Sequence, residues 1–406
     1  MNYIVSMIKQ YSRIIIRPFL LIILFSLFAC EDKKEDSVCT DPIQGKFINV
    51  QEKGTISAEF INGLRPSFGI PETFVVKYDV AVLSVTYTTV NPDGKETTAS
   101  GAVYIPKTGD DNPLSLLSGH HGTTIKKADV PSVLPLYGYL GLFGAGAGYA
   151  AVQADYLGLG SSELDYQPFS QKFSGVAVVD LIDGVRHYAC ENGIPLNDNV
   201  FMLGYSNGGY VSMAVHDELQ VNPRSFNIDA SVMVAGYFDL RISESFQIPD
   251  SLYRPSWALY SPIMYDKRYN LGLMEKIVKP PYLEKLSTLF NGQKDATEID
   301  NALTLISKDL LTESFLTSFR TNPDFKNYRD SLVSNSLADV IPDSPVLFIH
   351  SKEDGAVPYS QSVNMHQYIN SNGGNASLVL LETGQHNPVA YAPAVIQAID
   401  WLKQYE

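Results

Sequence analysis

Phe201-Met202-Leu203-Gly204-Tyr205-Ser206-Asn207-Gly208-Gly209 carries an apolar strand pattern straight into the helical pattern of residues 207–220. Within it, Gly204 to Gly208 reads G-x-S-x-G. A strand that turns directly into a helix forces the corner residue into a strained backbone, and small residues two before and two after it leave room for the turn. The turn would lift the Ser206 hydroxyl above a sheet, at a helix N-terminus where the dipole favours developing negative charge. The bare pentapeptide also occurs as a glycine-rich turn with an incidental serine. The strand before it and the helix after it favour the nucleophile.

A nucleophilic serine needs an imidazole to take its proton, and the imidazole needs a carboxylate to fix its tautomer. Downstream, the apolar run 346–350 ends in Ser351-Lys352-Glu353-Asp354-Gly355-Ala356-Val357-Pro358. Asp354 is the candidate carboxylate, and Glu353 is its competitor. The Asp-x-x-Val-Pro arrangement favours Asp354. The next apolar run, 377–381, ends in Glu382-Thr383-Gly384-Gln385-His386-Asn387-Pro388. Of the seven histidines, His386 alone follows a strand after both the serine and the acid. His187, His216 and His366 lie in helical patterns and are expected at the surface or its boundary. His350 ends its strand and is expected to support the site from behind.

Acyl transfer also needs preorganised N–H groups for an oxyanion. One should be the amide of Asn207, directly after the nucleophile. The other should come from Leu116-Leu117-Ser118-Gly119-His120-His121-Gly122-Thr123-Thr124, at another strand end, with Thr123 as the candidate. The His120-His121 pair has no carboxylate or cysteine at ligand spacing, so no metal is expected. Gly144-Ala145-Gly146-Ala147-Gly148 precedes its strand and has Tyr149 in the third glycine's place, so no dinucleotide is expected either. The chemistry calls for no cofactor.

The rest of the chain fits this frame. Its 406 residues are 45% hydrophobic and 18% charged, which excludes a disordered, collagen-like or coiled-coil protein. A formal charge of −14 argues against nucleic-acid binding through a broad basic surface. Residues 74–76 and 80–87, the turn Asn91-Pro92-Asp93-Gly94 and the run 97–105 predict an antiparallel hairpin. The apolar runs 114–118, 150–154, 200–203, 231–235, 346–350 and 377–381 suit a parallel sheet buried on both faces. Helical patterns over 176–190, 207–220, 359–369 and 392–404 alternate with them, predicting an α/β fold with a mostly parallel central sheet. The alternation fails over 237–343, too long for a loop in a compact domain, and predicts an inserted, mostly helical cap. Its aromatics, such as Tyr253, Trp257 and Tyr260, either line an apolar groove or form the cap's own core. The α/β core is then expected in two parts, 71–236 and 344–406, preceded by a tether and N-terminal arm over 30–70.

Residues 1–29 read as an address. Lys9, Arg13 and Arg17 precede an apolar run from Phe19 to Ala29, 11 residues long, where a spanning helix needs about 20. That is the pattern of a secretory signal. Leu27-Phe28-Ala29-Cys30 resembles the lipobox of bacterial lipoproteins, whose cysteine is lipidated and becomes the new N-terminus. The resemblance implies export and anchoring through Cys30 at the outer membrane or cell surface. The alternative is an ordinary cleaved signal, giving a periplasmic or secreted protein. Cys39 and Cys190 would remain, as one disulfide or as two thiols.

The quoted motifs together resemble the α/β-hydrolase superfamily, specifically secreted esterases and lipases of the secretory-lipase type. The resemblance rests on His121-Gly122-Thr123, Ala154-Asp155-Tyr156-Leu157-Gly158-Leu159-Gly160, Gly204–Gly208, Asp354–Pro358 and His386, in the order Ser206, Asp354, His386. It implies cofactor-free hydrolysis of a carboxylic ester, on a small-molecule, glycan or lipid substrate, with Asp155–Gly160 bordering the site. Two alternatives are kept. One is a peptidase resembling the prolyl-oligopeptidase group, whose members usually carry a propeller domain that residues 31–70 are too few to supply. The other is a non-catalytic surface lipoprotein that binds glycan or lipid on the same scaffold.

Overall fold

The computed structural model describes Cys39, residues 42–241 and residues 247–406. The signal and lipobox expectations, Cys30 included, lie outside the described residues. The chain divides into the units Met1–Thr40 and Asp41–Glu406. Of the first, Cys39 alone is described; it is disulfide-bonded, and so is Cys190 in the second.

The second unit runs β1 (Phe47–Ile56), α1 (Ala58–Leu64), β2 (Val80–Val90), β3 (Glu96–Pro106), β4 (Leu114–His120), α2 (Tyr139–Ala147), β5 (Ala150–Ala154), α3 (Val176–Glu191), β6 (Leu196–Tyr205), α4 (Asn207–Val221) and β7 (Ala230–Val234). After the inserted helices come β8 (Val346–Ser351), α5 (Ser360–Ser371), β9 (Ala376–Leu381) and α6 (Pro388–Leu402). Among the described residues the strands form one sheet in the order β1-β2-β3-β5-β4-β6-β7-β8-β9. The pairs from β1 to β5 along that order are antiparallel, and those from β5 onward are parallel. All six apolar runs become the parallel strands. β9, at the edge, is covered on one face only.

The hairpin forms between β2 and β3 in unbroken register from Val80↔Pro106 to Val90↔Glu96. Its turn is held by Asn91 Oδ1, which accepts from the amides of Asp93 and Lys95, and Gly94 supplies the left-handed φ of 74°. The antiparallel part is larger than the sequence suggests. Residues 47–56, within the stretch read as tether and arm, form edge strand β1 against β2. Phe74–Val76 is not a strand. The Asn62 side chain takes both backbone groups of Val76, at 2.9 Å each, so a ladder cannot.

Helix α2 was not visible in the sequence pattern, because glycines interrupt it. The same glycines let it sit close to the sheet: a Cβ on Gly144 would come 2.5 Å from Leu117 Cδ2, and one on Gly141 2.7 Å from Tyr104 Cδ2. Helices α2 and α6 cover one sheet face with a core of Leu142, Phe143, Leu203, Val232, Ile349 and Ile399. Helices α3 and α4 cover the other with Val152, Val178, Ile182, Met202 and Val211.

Between β7 and β8 the described chain is mostly helical. The longest helices are Pro255–Tyr269 and Lys326–Ser334, with short ones at Met274–Ile277, Leu286–Leu289, Ala296–Ala302, Ser307–Leu310 and Glu313–Ser318. They share a core of Leu259, Tyr265, Ile277, Ile299, Leu310 and Phe325. Every loop carrying a candidate residue leaves the C-terminal end of a parallel strand. These ends place the site between sheet and insertion.

Candidate active site

Ser206 occupies the corner between β6 and α4 with φ 55° and ψ −119°, a conformation that side chains rarely adopt. The corner is imposed by its neighbours. A Cβ on Gly204 would lie 2.2 Å from the Gly208 carbonyl oxygen, and one on Gly208 2.0 Å from the His120 carbonyl oxygen. Glycine at both positions is therefore a steric requirement. Its cause is backbone, which cannot swing aside.

The structure brings Ser206, His386 and Asp354 together. His386 Nε2 lies 2.8 Å from Ser206 Oγ, and His386 Nδ1 lies 2.7 Å from Asp354 Oδ2. An ionised carboxylate only accepts, so Nδ1 carries the proton and Nε2 is left to accept from the serine. Asp354 Oδ1 accepts from the Ala356 and Val357 amides at 2.9 and 2.8 Å. On Oδ2 the Tyr391 hydroxyl donates at 3.0 Å, its proton directed there because its oxygen accepts from Ser351 N–H. Burial pushes the Asp354 carboxyl up, but nearby His350, together with bonds from His386 and the Val357 amide, outweighs it and holds the group well below the usual carboxylate range. Glu353, the competing acid, points to solvent.

The amide of Asn207 is the first of α4 and has no partner within the helix. The loop after β4 lies beside the serine: a Cβ on Gly122 would be 3.5 Å from Ser206 Cβ. Thr123, the second candidate donor, follows Gly122 and is half-buried. Gly122 O accepts from His121 Nδ1 at 2.8 Å, and the Tyr156 hydroxyl donates to His121 O at 3.0 Å. His120 spends both ring nitrogens on Ser118 and Ser212 hydroxyls.

Comparison with known proteins bears on the fold and on the broad class of enzyme. A family model described as the prolyl oligopeptidase family matches residues 141–283. A Legionella pneumophila protein put forward as a hydrolase superposes with a TM-score of 0.79 at 25% identity, over 89% of this chain and 98% of its own. The rice cell wall degrading esterase LipA of Xanthomonas oryzae superposes with a TM-score of 0.75 at 26% identity, over 90% and 100%. The chain is a hydrolase of the α/β-hydrolase fold. Candida antarctica lipase A shares the fold at 15% identity, with a TM-score of 0.61 over 84% of this chain and 77% of its own. No curated protein matches this chain in sequence.

In this α/β-hydrolase the cap aromatics divide. Tyr260 is buried against Phe290 of the insertion and against Phe169 from the segment between β5 and α3. Trp257 and Tyr253 instead meet the His386 ring edge-on, at centroid distances of 5.7 and 6.5 Å. His350 stands behind the site, fully buried between Ser362 Oγ and Val357 O, 3.5 Å from Asp354 Oδ2. His216 corrects the sequence expectation: it is buried, with Nε2 on Ser231 Oγ, because its helix is covered on that side too. Asp155 is buried as well, and holds Ser100 Oγ and the Ser132 amide and hydroxyl. It braces the border of the site and touches none of the three residues by hydrogen bond among the described contacts. Tyr391, on Asp354, and Tyr237, on Asn207, carry no motif. Sequence reasoning missed both, since only the fold brings them near.

Proposed function

We propose that this protein is a serine esterase working through an acyl-enzyme. The observation that carries the reading is the continuous hydrogen-bonded line from Ser206 through His386 to Asp354, starting at a strained serine. Ser206 Oγ attacks the ester carbonyl while His386 Nε2 takes its proton; the alcohol leaves with that proton, and water attacks the acyl-serine by the same route. Asp354 fixes the His386 tautomer and stabilises the imidazolium. The amides of Asn207 and Thr123 hold the oxyanion. Trp257 and Tyr253 wall the histidine side, where the alcohol departs.

Wild type and Ser206→Ala test this with a fluorophosphonate probe and p-nitrophenyl esters of short and long acyl chains. Labelling and turnover in the wild type, both lost in the variant, are the expected result. A folded wild type that neither labels nor turns over would sink the reading. The match to the prolyl oligopeptidase model supports a second reading, a peptidase. Turnover of proline-containing amides faster than esters would select it.

The N-terminal sequence supports export and lipid anchoring through Cys30, and a surface esterase suits decorated polysaccharide. LipA, described as cell wall degrading, lends weight to that substrate class. Cleavage of triglycerides with acetylated and feruloylated glycans untouched would exclude it. Loss of membrane fractionation in Cys30→Ala tests the anchor.

A further inference from the structure

Tyr237 lies three residues beyond β7, outside every motif, and its hydroxyl donates to Asn207 Oδ1 at 2.7 Å. With its one proton spent there, the phenol oxygen accepts from Ser170 Oγ at 2.9 Å. Ser170 is itself held in a left-handed backbone, φ 54°, and its carbonyl accepts from the Tyr265 hydroxyl at 2.5 Å. Tyr265 belongs to the insertion's longest helix and is fully buried. The Tyr237 ring stacks on Tyr210 of α4, centroids 5.3 Å apart, and Tyr210 donates to Asn335 O at 2.6 Å. Asn207 and Ser170 are buried, so none of these bonds is exchanged cheaply for water. Burial pushes the Tyr237 phenol up, which keeps it a donor.

From this line of bonds we infer that Tyr237 is a positioning residue for the oxyanion amide, and that it ties that amide to the cap. The Asn207 side chain is anchored from its far end, which fixes the rotation of the Ser206–Asn207 peptide. An oxyanion donor stabilises the transition state only if its N–H is aimed before the reaction begins. Tyr265 and Ser170 carry the same constraint into the helical insertion, so displacement of the cap disturbs the amide. The inference rests on the serine esterase reading.

Tyr237→Phe removes one hydroxyl. Because the amide is misaimed but not removed, kcat for p-nitrophenyl butyrate should fall about tenfold, less than the loss of a donor outright, with KM within about twofold. The affinity for an alkyl boronic acid, whose tetrahedral serine adduct carries the oxyanion, should fall in the same proportion. Asn207→Ala keeps the backbone amide and loses only the anchor. It should match Tyr237→Phe, and the double variant should be no worse than either. Tyr265→Phe should move kcat and boronate affinity together in the same direction, by less. Multiplying losses in the double variant would overturn the inference, as would a lower melting temperature with kcat and boronate affinity intact. A wild type that neither labels with fluorophosphonate nor cleaves ester would mark failure of the esterase reading instead, and the inference would fall with it.

Discussion

Asp354→Asn is the sharpest test of the site, because the two oxygens of Asp354 face only donors. Oδ1 takes the Ala356 and Val357 amides, and Oδ2 takes His386 Nδ1 and the Tyr391 hydroxyl. Asparagine offers one acceptor and one NH2 group. Its oxygen belongs on the two backbone amides, which cannot reorient, so the NH2 must face His386. The imidazole can meet it only with a bare Nδ1, which moves the proton to Nε2 and points it at Ser206 Oγ. A histidine in that tautomer cannot take the serine proton. The cost to kcat should be about 10⁴-fold, roughly 5.5 kcal/mol of transition-state free energy. Tyr391 also loses its acceptor, so stability should fall by about 1–3 kcal/mol. The assay is kcat and KM on a p-nitrophenyl ester, with urea unfolding alongside and Glu353→Gln as control. Glu353 is exposed, so its variant should stay within about twofold of wild type. Asp354→Asn retaining more than a tenth of wild-type kcat, or Glu353→Gln losing it, would refute the assignment.

Gly208→Ala should abolish probe labelling and cost about 2–4 kcal/mol in thermal unfolding, because the new methyl meets the His120 carbonyl oxygen at 2.0 Å with only backbone to yield. Asp155→Ala should cost about 3–5 kcal/mol, read by urea midpoint, since it leaves Ser100 and Ser132 donors buried and unpaired. Burial lowers His120 and His216 to about 3 each, below the ordinary histidine value. The unfolded chain therefore binds more protons between pH 6.5 and 3, and native stability should fall as pH drops through that window. From pH 6.5 to 5 the two together should cost about 3 kcal/mol. His216→Asn should flatten the slope of urea stability against pH by about half.

Legibility in the sequence followed the reach of the physics. The parallel strands from β5 to β8 were readable because both their faces are buried, which leaves short unbroken apolar runs, and edge strand β9 kept such a run with one face covered. The Ser206 corner was readable because steric need writes glycines at fixed offsets. Asp354 and His386 were readable because each follows a strand end in a fixed order. Helix α2 was not, because close approach to the sheet demanded Gly141 and Gly144 where helix propensity would place alanine. Strand β1 was not, because it is an edge whose residues are mostly exposed and so show no apolar alternation. Val76 looked like strand because its burial is real; its backbone was already bonded to Asn62.

The same division separates what this site does from what it acts on. The candidate reacting groups sit on loops whose positions are fixed by the sheet, so local sequence suffices to propose them. Most of their supports come from elsewhere in the chain: Tyr237 from beyond β7, and Trp257 and Tyr253 from the insertion, while Tyr391 follows His386 on α6. Each acts through one hydroxyl or one ring edge, which local sequence does not mark. Trp257 and Tyr253 meet the ring of His386, the group that in the proposed mechanism hands its proton to the departing alcohol. The insertion therefore bears on the candidate site's own histidine. An insertion that only roofed the cleft could be exchanged between relatives without changing the rate on a small activated ester. One that contacts the histidine and, through Tyr265, Ser170 and Tyr237, the residue after the nucleophile cannot be exchanged so freely.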